Sequence, residues 1–388
     1  MATPLVLQYA FRICFLTAAM WAAAAMPIWL CAYEGWIVIA PAYGGMNWHA
    51  HEMIFGYAAL VICGFLFTAI PSWTNRPPVR GRPLAVLMVL WASGRTAMLL
   101  AEQIGPIAAA VIDLLFLVAI LVIAGREIAA GKNWHNAPIL VLVGLLTAAN
   151  AWFHAAALMS LPVDMALRAA IGMLVVLITV IGGRLVPNFT RNWLVKRNVS
   201  QLPSPFGRLD ATAIAAAVAG IVAWVIAPDG RITAAVAATA AALLALRLAR
   251  WRGWSTWREP LLLVLHIGYG FVPIGFALLA AASIRPDLIP ANVVTHAWTV
   301  GAVGTMTLAV MTRATLGHTG RALTATGATT AIYVAIVFAA VTRVVAPLTG
   351  DLMTSLLLLS GLSWTLAFVG FVAAYGPIVV TPRLEPAH

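Results

Sequence analysis

The stretch WHAHEMIFGYAALVICGFLFTAIPSWTNRPPVRG occupies positions 48–81 and decides the fold class. No charged side chain stands between Glu52 and Arg76, a run long enough for a helix to cross the hydrocarbon of a bilayer, which takes about 20 apolar residues. The run ends in proline, asparagine and the arginines Arg76, Arg80 and Arg82. The same grammar repeats along the chain, with apolar spans near 8–32, 47–70, 83–101, 106–125, 137–159 and 165–186, then 208–228, 231–249, 259–282, 291–312, 325–346 and 352–376. With 63% hydrophobic and 9% charged residues and a mean hydropathy of +0.97, the chain lacks the polar surface to cover a water-soluble globule. The fold class is therefore all-α, a polytopic membrane bundle of about twelve transmembrane helices. The first span carries Arg12 inside it and no small-residue cleavage site, so it reads as a retained helix and not a signal peptide.

A formal charge of +11 excludes nothing alone, but nucleic-acid binding would gather the cations on one soluble surface, and no soluble domain is evident. The cations mark topology instead. Arg76, Arg80, Arg82, Arg126, Lys132, Arg184, Arg191, Lys196, Arg197 and Arg208 follow even-numbered spans, as do Arg247, Arg250, Arg252, Arg258, Arg313 and Arg321. The opposite loops hold Glu34, Glu102, Asp164, Asp229, Asp287 and Asp351. The positive-inside rule then puts both termini in the cytoplasm of a bacterial inner-membrane protein. The basic stretch Pro187–Arg208 reads as a cytoplasmic connector. Cys14, Cys31 and Cys63 form no CxxC pair and read as packing residues.

The chain reads as one integral-membrane domain with three related units, 1–130, 131–250 and 251–388. In ungapped register Gly56, Gly172 and Gly301 coincide, as do Thr74, Thr190 and Thr319. His51 then falls opposite His296, both near the periplasmic ends of their helices, while the middle unit has Leu167 there.

Trp48 to Glu52 open the second span, with Asn47 expected as its N-cap. His49 and His51 are two apart, so a regular helix points them roughly 200° from each other. Glu52 at that depth is a functional candidate by default: it orients a ligand imidazole, pairs with Arg168 or Arg95, or faces the headgroups. His154 follows Asn150 by one turn, so the two share a helix face. His49, His51, His154 and His296 thus make four imidazoles at similar depth, each needing a partner in hydrocarbon, and one metal satisfies several at once. His266 lies about 12 Å inward from Arg258, and with His318 it offers a weaker second metal site near the cytoplasm. His135 and His388 read as solvent-facing. Imidazoles without thiolate pairs or carboxylate clusters suit haem iron, copper or zinc. Haem axial ligation falls to His51 and His296, with Arg168, Arg285 or Trp48 meeting the propionates. The absence of a Cys-x-x-Cys-His attachment makes any haem a non-covalent haem b.

The 48–81 block, with GGRLVPNFTRNW at 182–193, LHIGYGFVPIG at 265–275 and MTRATLGHTGR at 311–321, resembles the NnrS family. The resemblance implies a membrane haem and copper protein made in response to nitric oxide, which helps bacteria tolerate nitrosative stress. Residue assignments are not implied by it. The layout with histidines on spans two and ten also resembles the haem–copper oxidase catalytic subunit, where those spans hold the low-spin haem. The chain departs from that pattern in lacking histidines on spans six and seven, where that family holds its copper.

The expectation is a haem-binding inner-membrane protein that captures or converts nitric oxide, with His51 and His296 as axial pair and His49 and His154 as flanking copper ligands. Its enzymatic form would be a haem-dependent nitric oxide oxidoreductase with an electron donor outside the chain. The rival is a twelve-helix secondary transporter of a small solute, with Arg95 and Asp113 as its coupling pair. A sensory or assembly role through the 187–208 connector is a third reading.

Overall fold

A computed structural model describes residues 3–384, so His388 lies outside the described residues. Among the described residues all regular structure is helical. Twelve long helices carry the fold: α1 Ala10–Tyr33, α2 Gly45–Thr74, α3 Arg82–Leu99, α4 Pro106–Ala130, α5 Ala137–Leu158 and α6 Asp164–Val195, then α7 Arg208–Ile226, α8 Arg231–Ala249, α9 Pro260–Ala282, α10 Ala291–His318, α11 Gly327–Val345 and α12 Met353–Val379. Eleven are long and apolar enough to cross a membrane, and α3 is the exception. The chain is a multi-pass membrane protein. The expected third span exists as a helix but is diluted by Arg82, Ser93, Gly94, Arg95 and Thr96. Arg95 is buried in protein, where a guanidinium finds partners that lipid cannot supply.

Local chemistry sets the helix starts. α3, α4, α5 and α9 each begin with proline in the first turn, where its missing N–H costs nothing. Glu259 caps α9 by accepting the Leu261 N–H, and Thr326 caps α11 by accepting that of Thr329. α2 starts two residues before the expected Asn47 cap. Its N-cap is Gly44 at φ 78°, a left-handed conformation that glycine adopts without strain, and Asn47 instead donates to the Tyr43 carbonyl at 3.1 Å. α6 continues through Pro187 to Val195, so the first half of the expected 187–208 connector is helix. Pro187 lacks the N–H that would bond the carbonyl of Gly183. One turn earlier Arg247 supplies an outside donor, reaching the Thr179 carbonyl at 2.9 Å.

By internal contacts the chain falls into two compact units, Met1–Ala170 with Met311–Ala322 and Phe368–His388, and Ile171–Val310 with Leu323–Ala367. In the first, α1 packs on α2, α3 on α4 and α4 on α5. α1 and α2 approach closely at Gly64, where an added Cβ would lie 2.7 Å from the Phe15 ring. Buried Arg12 donates to the carbonyls of Val379 and Thr381, a cation at the C-terminal end of α12. In the second, α7 packs on α8 and α8 on α9, while α9 and α11 both pack on the middle of α10.

Two helices contain π-helical turns, Glu52–Ala58 in α2 and Ala297–Gly304 in α10. In the register that aligns Gly56 with Gly301 the two segments coincide, and His51 and His296 each stand immediately before one. π-turns are rare and gather at functional sites.

Candidate metal centre

The first unit buries a polar cluster drawn from four helices and a loop. α2 brings His51 and Glu52, α3 brings Arg95, α4 brings Asp113, and α5 brings Asn150 and His154, all buried. Three nitrogens converge on Asp113 Oδ2: His51 Nε2 at 3.2 Å, His154 Nε2 at 3.1 Å and Asn150 Nδ2 at 2.7 Å. Asn150 Oδ1 faces His51 Nε2 at 3.0 Å. Arg95 pairs with the other Asp113 oxygen and donates to Glu52 Oε2 at 3.0 Å, while Glu52 Oε1 faces His51 Nδ1 at 3.3 Å. Tyr43, in the loop before α2, bonds His154 Nδ1 at 3.0 Å. Burial first and the Asp113 carboxylate second push the Tyr43 phenol up to about 12, so it stays protonated.

Small residues make this convergence possible. A Cβ on Gly94 would lie 3.2 Å from the Asp113 Cα, so α3 and α4 meet backbone to backbone beside Arg95. A Cβ on Gly56 would lie 2.6 Å from Arg95 Nη1 and 2.7 Å from Glu52 Oε2. Gly56 sits inside the π-turn, whose widened coil carries Glu52 directly after His51 into the same cluster. Asn150 and His154 share one face of α5, as their four-residue spacing requires.

The expected histidines separate into distinct environments. His49 is half-buried and stacks on Trp29 with ring centroids 4.7 Å apart, pointing away from His51 as the helical phase demands. His296, in the second unit, donates Nδ1–H to the Asn292 carbonyl at 2.6 Å. His266, in the same unit, bonds Thr190 Oγ1 through Nε2 at 2.9 Å, with Gly253 packed against its ring. His318 ends α10 and stacks on Phe11 at 5.4 Å. His135 is exposed as expected. Arg168 is half-buried in the second turn of α6, and Trp48 is sealed, its indole N–H without an acceptor. Cys14 and Cys63 are buried free thiols in sulfur–sulfur hydrogen-bond contact at 3.9 Å.

Arg95 was expected as a partner of Glu52, which it is, or of Asp113 in a transporter pair, whereas nothing in the sequence singled out Asp113 as a ligand or Tyr43 at all. The signal for Asp113 was its position, an acid within one of the most apolar helices, Pro106–Ala130, at hydropathy 3.0.

The sequence model of one protein family, described as NnrS protein, matches residues 5–383. The chain belongs to the NnrS family. No curated protein matches it.

Metal binding is a property associated with the NnrS family in general, and the donor set in this member suits a small ion. One ligand atom each from His51, Asp113 and His154 lies within 4.8 Å of the others, all three buried. The separations of 3.2 and 3.1 Å from the two imidazole nitrogens to Asp113 Oδ2 are close to the edge of a tetrahedron with bonds of about 2.0–2.1 Å, roughly 3.3 Å. Two imidazoles and a carboxylate suit copper, zinc or iron. Glu52 behind His51 Nδ1 and Tyr43 behind His154 Nδ1 fix the rings so that both Nε2 atoms face inward, the outer support metal-binding histidines require. A haem asks for something else at His51, whose Nε2 is already engaged by Asp113 and Asn150 in a fully sealed position. At His296 the Nδ1 bond to a backbone carbonyl fixes the tautomer whose Nε2 carries the lone pair, as axial ligation needs.

Proposed function

We propose that this NnrS-family protein is an inner-membrane metalloprotein of the nitric oxide response, and that His51, Asp113 and His154 hold a copper ion where the gas is captured or converted. The observation that carries the reading is the buried convergence of those three ligand atoms from three helices. Copper there supplies a Lewis-acidic, redox-active centre for a small apolar gas that reaches it through lipid. The chain's own part is to hold two imidazoles in one tautomer, to keep bulk water out, and to balance the Asp113 charge through Arg95. A non-covalent haem b belongs with His296, whose Nδ1–H is held by the Asn292 carbonyl. His49, on Trp29, lies outside the ligand set, and electrons come from a separate donor. Both termini face the cytoplasm.

Metal analysis and optical spectra of purified protein test this. Copper is expected to fall to background in His51→Ala and His154→Ala, while a Soret band survives His51→Ala and disappears in His296→Ala. Addition of nitric oxide to wild-type protein is expected to change the optical or paramagnetic spectrum. Full copper retention in both site variants would falsify the assignment.

The transporter reading keeps one specific observation, the contact between Arg95 and Asp113. If wild-type protein holds no metal and Asp113→Asn abolishes solute flux in proteoliposomes, that reading replaces the first.

A further inference from the structure

The metal reading leaves two groups of the cluster unused, Glu52 and Arg95. Neither is among the three grouped ligands, yet both are buried and bonded into the same network: Arg95 bridges Glu52 and Asp113, and Glu52 backs His51. Their charges do not cancel those of the ligands. Glu52 and Asp113 bring two negative charges and Arg95 brings one positive, while Asn150, Tyr43 and both imidazoles, which ligate as neutral rings, bring none. With both rings neutral, as metal ligation requires, the cluster carries one net negative charge inside a protein interior, where an unbalanced charge is strongly disfavoured. One monovalent cation brings the sum to zero. A divalent cation leaves one positive charge, which an accompanying anion would have to offset.

Resting on the assignment of the three ligands, we infer that Glu52 and Arg95 set the charge of the bound ion, so that this centre takes a monovalent soft cation of the Cu(I) type in preference to a divalent one. Arg95 alone fails to neutralise the two acids because it must serve both. It faces Glu52 through Nη1 and Asp113 through Nη2, and Gly56 lets it lie flat between them. Asp113 is a ligand, whereas Glu52 and Arg95 act as positioning and charge-setting residues.

The test uses two closed-shell probes, Ag(I) and Zn(II), in equilibrium dialysis against the purified full-length protein in detergent. Site occupancy is counted as the metal lost in the His51→Ala/His154→Ala double variant, which removes the contribution of Cys14, Cys31 and Cys63. Wild-type protein is expected to hold Ag(I) at least tenfold more tightly than Zn(II). Arg95→Gln makes the cluster doubly negative and is expected to move the affinity ratio at least tenfold toward Zn(II). Glu52→Gln makes it neutral and is expected to move the ratio at least tenfold toward Ag(I). Glu52→Gln/Arg95→Gln restores the net charge and is expected to return the ratio near its wild-type value. A merely structural role would weaken both ions together, with no restoration in the double variant, and that result overturns the inference. Arg95→Lys, which keeps the charge and is expected to keep the wild-type ratio, stands beside Glu52→Gln should Arg95→Gln fail to fold. If the wild type binds neither ion beyond the His51→Ala/His154→Ala background, the metal reading fails and takes this inference with it.

Discussion

Asp113 is where the first unit spends its polar groups: two imidazoles and an amide meet one oxygen, and a guanidinium meets the other. Removing one partner of a buried ion pair leaves the other charge uncompensated, at about 3–5 kcal/mol. Arg95→Met is therefore expected to lower the unfolding midpoint in detergent by several degrees, and a midpoint within one degree of wild type would count against the ion-pair geometry. Tyr43→Phe deletes one support of His154, and loss of such an outer partner costs about 10–100-fold in metal affinity against roughly 1 kcal/mol of stability. Metal titration beside thermal unfolding separates the two. The Tyr43 phenol is raised from 10.0 to about 12, so its contribution is full below pH 10 and is lost as the pH climbs through 12. Wild-type stability is expected to fall more steeply than that of Tyr43→Phe across that window. His51, Glu52, Asn150 and His154 were legible as polar groups at membrane depth. Tyr43 was not, because a tyrosine between two spans looks like any aromatic of the interfacial belt.

α3 and the π-turn of α2 show what an element owes to its neighbours. An arginine costs up to about 2.5–3.5 kcal/mol in membrane insertion, the full figure applying at a helix centre, and α3 accepts its share because Arg95 ends among carboxylates. In a membrane-insertion assay of the isolated α3 segment, Arg95→Leu is expected to raise insertion several-fold, whereas the same change in the full chain destabilises it. Insertion unchanged by Arg95→Leu would mean that the arginine is not what limits α3. Gly56→Ala forces a methyl toward Arg95 and Glu52, an overpacking expected to cost about 1–3 kcal/mol and to loosen metal binding. The helix limits followed closely from apolar runs and breakers. The π-turns did not, since a five-residue hydrogen-bond pattern leaves no mark in hydropathy, and the run past Pro187 did not, since a proline that removes one N–H can kink a helix without ending it.

Across the whole molecule, twelve crossings, with α3 counted beside the eleven more apolar helices, would return the chain to the side on which it began. The proposed placement of both ends in the cytoplasm predicts that a C-terminal green fluorescent protein fusion fluoresces and that a C-terminal alkaline phosphatase fusion stays inactive. The reverse pattern would overturn the topology. The division into two compact units also sorts the histidines: His51, His154 and His49 belong to the first, and His296 and His266 to the second. Sequence register had placed His51 opposite His296, and the matching π-turns sustain the likeness of their two helices, yet the local partners differ. His51 bonds three side chains from α2, α4 and α5, and His296 bonds its own backbone.

Composition and the spacing of apolar runs determined by themselves that the chain is a helical membrane bundle, where its helices lie, and that His51, Glu52, Asn150 and His154 are unusual, because each is a property of one segment and its solvent. Only the tertiary structure decided which of these groups meet. Asp113 became the centre of the cluster, with Arg95 bridging it to Glu52, because those contacts depend on the rotation and depth of α2 to α5 against one another. Close approaches at Gly56 and Gly94 set that rotation and depth.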